Sequence, residues 1–207
     1  MGIADTSIAA AAAVFSGGAA FGAWKTAREA NRTSASLAQI ERDRWHTEMT
    51  PNLQFQFTRS RGNAELLVLF GGPAPLRRLN RLELSIRDDR DRRNDPVLAG
   101  GPTAEERANV IWGPYRFRPR IDGADELGRN AGAFHLEHGE QRRLALDPSL
   151  SPPWYTDRDP ASGWRWEQTG SPIRLWATCH VDGHKDWRLT ADLTDVQMES
   201  NEWVTAR

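Results

Sequence analysis

A single cysteine, Cys179, occurs in 207 residues. No disulfide can therefore form within the chain, and nothing implies an oxidising compartment. Net charge is nearly absent as well, with 27 basic residues against 28 acidic ones. Enzyme signatures are missing: the chain has no Gly-Lys-Ser/Thr phosphate loop, no Gly-x-Ser-x-Gly elbow, no dinucleotide fingerprint and no cysteine pairs for zinc or iron–sulfur. No cofactor is expected. Two further absences divide the chain. No charge lies between Thr6 and Trp24, and no proline precedes Pro51, although twelve follow from there.

The uncharged stretch Thr6–Trp24 is built from Ala, Gly, Ser, Ile, Val and Phe. As a helix it would reach about 28 Å at about 1.5 Å per residue, close to the ~30 Å hydrocarbon core of a bilayer. Its eight alanines and three glycines make it a marginal span, and Ile8, Val14, Phe15 and Phe21 supply the favourable terms. Two other readings are an Ala-rich packing helix of a soluble β domain and a cleaved leader. Asp5 opposes the leader, because a secretory sequence wants Lys or Arg there. Lys25, Arg28 and Arg32 follow the span, and only Asp5 precedes it. The positive flank belongs on the cytoplasmic side, so the expectation is a single-pass protein of the cell membrane with its C-terminal domain cytoplasmic. Gly18 and Gly22 have the small-xxx-small spacing that lets two such helices approach closely, the expected contact of a homodimer.

Residues 25–50 read as a juxtamembrane stalk. Lys25–Glu48 contains no Pro or Gly and is rich in helix formers with mixed charge. Ala27, Ala30, Ser34 and Leu37 keep a 3–4 spacing with Ile40 beside them, at best a two-heptad coiled coil; a solvated stalk is preferred. Thr50-Pro51 stops the helix.

From residue 51 to 207 the period changes from helical to alternating. Leu53, Phe55 and Phe57 alternate with glutamines, and Leu82, Leu84 and Ile86 with charged or hydroxyl residues. Glu65–Phe70 reads as a central strand. Further strands are expected around Tyr115–Arg118, Ala133–Glu137, Arg142–Leu146, Ile173–Val181 and Asp186–Leu193. Thr103–Val110 alone reads as helical, with Thr103 as N-cap and Glu106 at the capping-box position. Eight short strands with Gly/Pro/Asp-rich turns predict a mainly β domain, an antiparallel β-sandwich of Ig-like or jelly-roll-like type.

In the last predicted hairpin, Ile173, Leu175, Ala177, Cys179 and Val181 share one face, and Trp187, Leu189, Ala191 and Leu193 share a face of the next strand. Both sets point to one core only if the loop has odd length, such as Val181-Asp182-Gly183 with Gly183 left-handed. That register sets His180 opposite His184 and Trp176 opposite Arg188, and buries Cys179. Two imidazoles across a ladder, with Asp182 or Asp186 nearby, are candidate metal ligands. The His135-Leu136-Glu137-His138 run lacks the helical spacing of a zinc protease. Arg87–Asp95 interleaves four arginines with four aspartates, which reads as a self-paired loop rather than a calcium loop. Arg116, Arg118 and Arg120 alternate with Phe117 and Pro119, a basic, aromatic edge. Five of the basic and five of the acidic residues lie before Pro51, leaving 22 against 23 after it. Nucleic acid is therefore not expected as a partner.

Several of these segments carry a resemblance. Glu41-Arg42-Asp43-Arg44-Trp45 with Thr50-Pro51, Leu82-x-Leu84-x-Ile86-Arg87-Asp88-Asp89, Trp112-Gly113-Pro114-Tyr115-Arg116-Phe117 and Gly183-His184-x-x-Trp187 resemble a group of uncharacterised actinobacterial proteins with an N-terminal membrane helix and a C-terminal β-rich domain. The resemblance implies the architecture and no activity. The expectation is a membrane-anchored binding or scaffold module with an unidentified protein partner. The rival is a metal-dependent enzyme built on His180 and His184.

Overall fold

The computed structural model describes residues 24, 28–29, 31–60, 62–88, 101–156 and 158–207. The chain divides into two units, Met1–Glu48 and Met49–Arg207. In the first, residues 31–48 form helix α1. Its side chains bond along the helix at i,i+3 and i,i+4 spacing. Gln39 donates to Asp43 at 2.9 Å, Arg42 to Gln39 at 2.9 Å, and Arg44 to Glu48 at 2.9 Å. Leu37, Ile40 and Trp45 are exposed on it. Such pairs support an exposed helix in water. Among the described residues no helix is long and apolar enough to cross a membrane. Apart from Trp24, the expected span Thr6–Trp24 and its Gly18 and Gly22 lie outside the described residues.

The second unit is mainly β, in two antiparallel sheets. One has strand order β4 (Tyr115–Phe117), β6 (Gln141–Pro148), β2 (Asn63–Phe70), β1 (Leu53–Ser60), β9 (Val204–Thr205). The other has order β5 (Phe134–Glu137), β3 (Arg78–Ile86), β7 (Ile173–His180), β8 (Trp187–Leu193). Alternation sends every second side chain inward. Leu53, Phe55 and Phe57 of β1 and Leu82, Leu84 and Ile86 of β3 meet in one buried cluster. At about 25 cal/mol per Å² of apolar surface removed from water, this shared core is the main force holding the sheets together. β2 is central in its sheet as the sequence predicts, yet it alternates too. Leu66, Val68 and Phe70 are buried, whereas Leu67 and Leu69 are half-buried. A sandwich sheet has only one covered face.

Three elements depart from the sequence reading. Besides the expected helix α2 (Ala104–Asn109), whose Thr103/Glu106 capping box forms, there are α3 (Pro160–Glu167) and α4 (Asp195–Ser200). β9 is also new, and it continues into a seam between the sheets. Ala206 donates to the Leu53 carbonyl of β1 at 2.9 Å, and Arg207 and Thr190 of β8 exchange two backbone bonds of 2.8 Å. Residues 204–207 thus cover an edge strand of each sheet.

The β7–β8 hairpin corrects the expected register. Cys179 pairs with Trp187, Ala177 with Leu189, and Trp176 with Thr190, a shift of two residues from the register that paired His180 with His184. An even shift leaves the inward faces unchanged, so Cys179 is fully buried as expected. The reason lies in the turn. His184 N–H bonds to the Val181 carbonyl at 3.0 Å, and Gly183 takes φ +82°. The ladder therefore stops at Cys179–Trp187, and seven residues, 180–186, cross from one side to the other, an odd number as the shared inward face requires.

Candidate ligand-binding cleft

The predicted metal ligands do not meet across the ladder. His180 Nδ1 lies 2.8 Å from Asp186 Oδ1, and its Nε2 lies 3.6 Å from Asp182. The hydrogen bond to Asp186, then the charges of Asp186 and Asp182, hold the imidazole pKa above its ordinary value. Asn80 of β3 clamps the turn by donating to Asp182 at 2.9 Å. His184 instead packs its ring 5.3 Å from that of Trp187. Among the described residues, no group of three or more His, Cys, Asp or Glu is placed to hold a metal ion. Burial pushes the Cys179 thiol up to about 12, so it stays protonated and unreactive.

The basic, aromatic edge is largely engaged in the fold. Arg118 is half-buried and binds Asp147 at 2.8 Å. Arg116 donates to the Leu127 carbonyl at 3.4 Å, and Arg120 reaches Glu126 at 3.4 Å. His135 and Glu137 point outward from β5, and His138 meets the Phe70 ring edge-on at 6.0 Å. Most of Arg87–Asp95 lies outside the described residues.

A cleft of about 600 Å³ opens at one end of the five-stranded sheet. Its base is an aromatic pair, Phe57 of β1 and Tyr115 of β4, with centroids 4.9 Å apart. Both rings are buried. The alternation of β1 puts Arg59 on the same face as Phe57, two residues nearer the open end. Its guanidinium rests 5.7 Å from the Tyr115 centroid and 6.0 Å from that of Phe57, within reach of a cation–π contact.

One wall is the end of α3. Asp159 caps this helix by accepting from Ser162 N–H, and Pro160 starts it. Trp164 pins it: the ring is buried, its N–H donates to Ser149 Oγ at 2.8 Å, and Trp112 and Tyr155 meet it edge-on at 5.5 and 5.9 Å. The next residue, Arg165, faces the cleft, with Nε donating to the Ala161 carbonyl at 3.0 Å. Past it, Gly170 at φ +81° turns the chain toward β7.

A second wall is α4. Thr194 and Gln197 cap it, Thr194 N–H donating to Gln197 Oε1 at 2.9 Å. Gln56 of β1 donates to the carbonyl of Asn201, which ends the helix in a left-handed conformation. The i, i+3, i+4 spacing then presents Asp195, Met198 and Glu199 to the cleft together.

No protein-family model matches the chain, and no curated protein or solved structure matches it. The chemistry of the cleft has to be read from its own residues. Its charged side chains are Arg59, Arg165, Asp195 and Glu199. Among the described residues, none of them closes an ion pair. Sequence reasoning did not single out any of these four. The signals that were available are the alternation linking Arg59 to Phe57, and the cap pairs Asp159-Pro160 and Thr194…Gln197 that start the two wall helices.

Proposed function

We propose that the chain is a single-pass membrane-anchored protein whose cytoplasmic β domain, a sandwich of Ig-like or jelly-roll-like build, is a binding module with the cleft beside β1 as its ligand site. The observation that carries this reading is the cleft itself: four ionised side chains line about 600 Å³ without pairing with one another. That volume falls within the roughly 300–1,000 Å³ of small-molecule sites. Charges left unpaired in the cleft stay available to a ligand.

The anchoring half of the proposal is supported by the uncharged Thr6–Trp24 and the positive flank of Lys25, Arg28 and Arg32. Lipid is contacted through residues 6–24, and two copies meet through Gly18 and Gly22. α1, exposed and laced by polar side-chain pairs, suits a stalk in water.

A thermal-shift screen of small ligands against the full-length chain in nonionic detergent tests the site. A ligand at a hundred times its Kd should stabilise the folded state by about 2.7 kcal/mol, raising Tm by roughly 5–11 °C for a domain of this size. The shift should disappear in Arg59→Ala. Ligands that stabilise the wild type and Arg59→Ala equally would remove the cleft as the site.

A further inference from the structure

We infer that the ligand of this cleft is a zwitterion, with its anionic group on Arg59 and Arg165 and its cationic group at Asp195 and Glu199. The inference rests on the cleft being the ligand site and adds the charge pattern of what enters it.

Several ionised side chains elsewhere in this domain find opposite partners. Arg118 binds Asp147, Arg81 binds Glu83, Arg120 binds Glu126 and Arg143 reaches Glu65. The cleft is different. Arg59 lies over two buried rings, which occupies a face of the guanidinium and leaves the N–H groups along its edge free. A planar fork held this way suits bidentate contact with a carboxylate or phosphate. Arg165 commits its Nε to the Ala161 carbonyl and keeps its terminal nitrogens. Its charge also helps hold the Asp159 carboxyl low, behind the Ser162 hydrogen bonds.

On α4, Asp195 and Glu199 stand one helical turn apart, neighbours on the face that lines the cleft. Two like charges at this spacing repel, and a cation between them relieves the repulsion. A plain anion in the cleft would meet these carboxylates, and a plain cation would meet the arginines. Each mismatch penalises the wrong ligand, so a molecule bearing both signs is selected over either alone.

Oligoglycines of two to five residues, titrated calorimetrically into the full-length chain in nonionic detergent, provide the test. Their terminal ammonium and carboxylate separate by about 3.5 Å more with each residue, so the series measures the distance between the basic and the acidic pair. N-acetylated peptides keep only the anion, and C-terminal amides keep only the cation. The expected result is binding that peaks at one length and weakens about tenfold in either capped form, the worth of one charge-assisted contact. Arg59→Gln should weaken the free peptide about tenfold and leave the amide unchanged; Glu199→Gln should weaken the free peptide and leave the acetyl form unchanged. Both replaced side chains, Arg59 and Glu199, are exposed, so melting curves should match the wild type.

Equal binding of free and capped peptides, still lost in Arg59→Gln, overturns the zwitterion and keeps the cleft as a ligand site. Binding that ignores both substitutions overturns both readings. No binding at any length overturns the zwitterion, and the ligand screen against Arg59→Ala then decides the cleft alone.

Discussion

His180 illustrates how much a single side chain can gain from a turn. It leaves β7 on the outer face beside Arg81 of β3, its cross-strand neighbour, which is itself paired with Glu83. On the turn side it meets two carboxylates, Asp186 at 2.8 Å and Asp182 at 3.6 Å. The Asp186 hydrogen bond raises the folded-state pKa above the ordinary histidine value. A group whose pKa is raised on folding stabilises the protein fully below its unfolded pKa, about 6.5, and loses that contribution as pH rises through the folded pKa. Asp186→Asn is therefore expected to destabilise the domain at pH 5.5 and to have little effect well above the folded pKa. In an NMR titration the His180 imidazole should titrate above the ordinary histidine value, and move down in Asp186→Asn. A His180 midpoint that Asp186→Asn leaves unmoved would show that the carboxylate does not set it. Only part of this was legible in the sequence. Alternation placed His180 on the outer face, but choosing His184 or Asp186 as its partner requires knowing where the ladder ends. That is decided by one backbone bond in the turn, His184 N–H to Val181.

At the scale of elements, period-two alternation was the readable signal, because a buried strand face is a property of the strand's own residues. The helices and the seam lack such a signal. α3 buries only Trp164 within its span, and α4 buries no residue fully, so neither shows an apolar stripe. Both are instead announced by their caps. β9 is two residues long, too short for any period, and exists because β1 and β8 leave adjacent edges to be covered. Its contribution can be measured. Ala206→Pro removes the N–H that bonds Leu53, and the fixed φ of proline disturbs the two bonds between Arg207 and Thr190. At about 1 kcal/mol for each of three hydrogen bonds, the loss is about 3 kcal/mol, or roughly 6–12 °C in Tm. Differential scanning calorimetry reads this directly, and exposure of the two edges should raise the tendency to aggregate. A melting temperature within about a degree of the wild type would show that the seam adds little. The cleft has the same mixed legibility: β1 alone links Arg59 to Phe57, whereas Tyr115 reaches them only through the strand order β4-β6-β2-β1.

At the scale of the whole molecule, the proposal joins an uncharged span, a polar helix and a binding domain, and its most exposed claim is orientation. The span is marginal by hydrophobicity, with Ala and Gly close to neutral and only four large apolar side chains to favour insertion. Its topology therefore depends on the flanks, where Lys25, Arg28 and Arg32 outweigh Asp5. Alkaline carbonate should leave the full-length chain in the membrane pellet, whereas it releases a peripheral protein. A fluorescent protein fused to the C-terminus should be protected from protease added outside the cell. Replacing Lys25, Arg28 and Arg32 with Gln should weaken that protection, because the positive residues carry the orientation. Chain released by carbonate would defeat the anchor and leave the cleft in a soluble domain. Chain retained but cleaved from outside would keep the anchor and reverse its direction. Gly18→Leu with Gly22→Leu should abolish cross-linked dimers without affecting retention, since bulky residues keep the helices apart but add to their hydrophobicity. The two readouts separate because one depends on lipid and the other on close approach of a second copy.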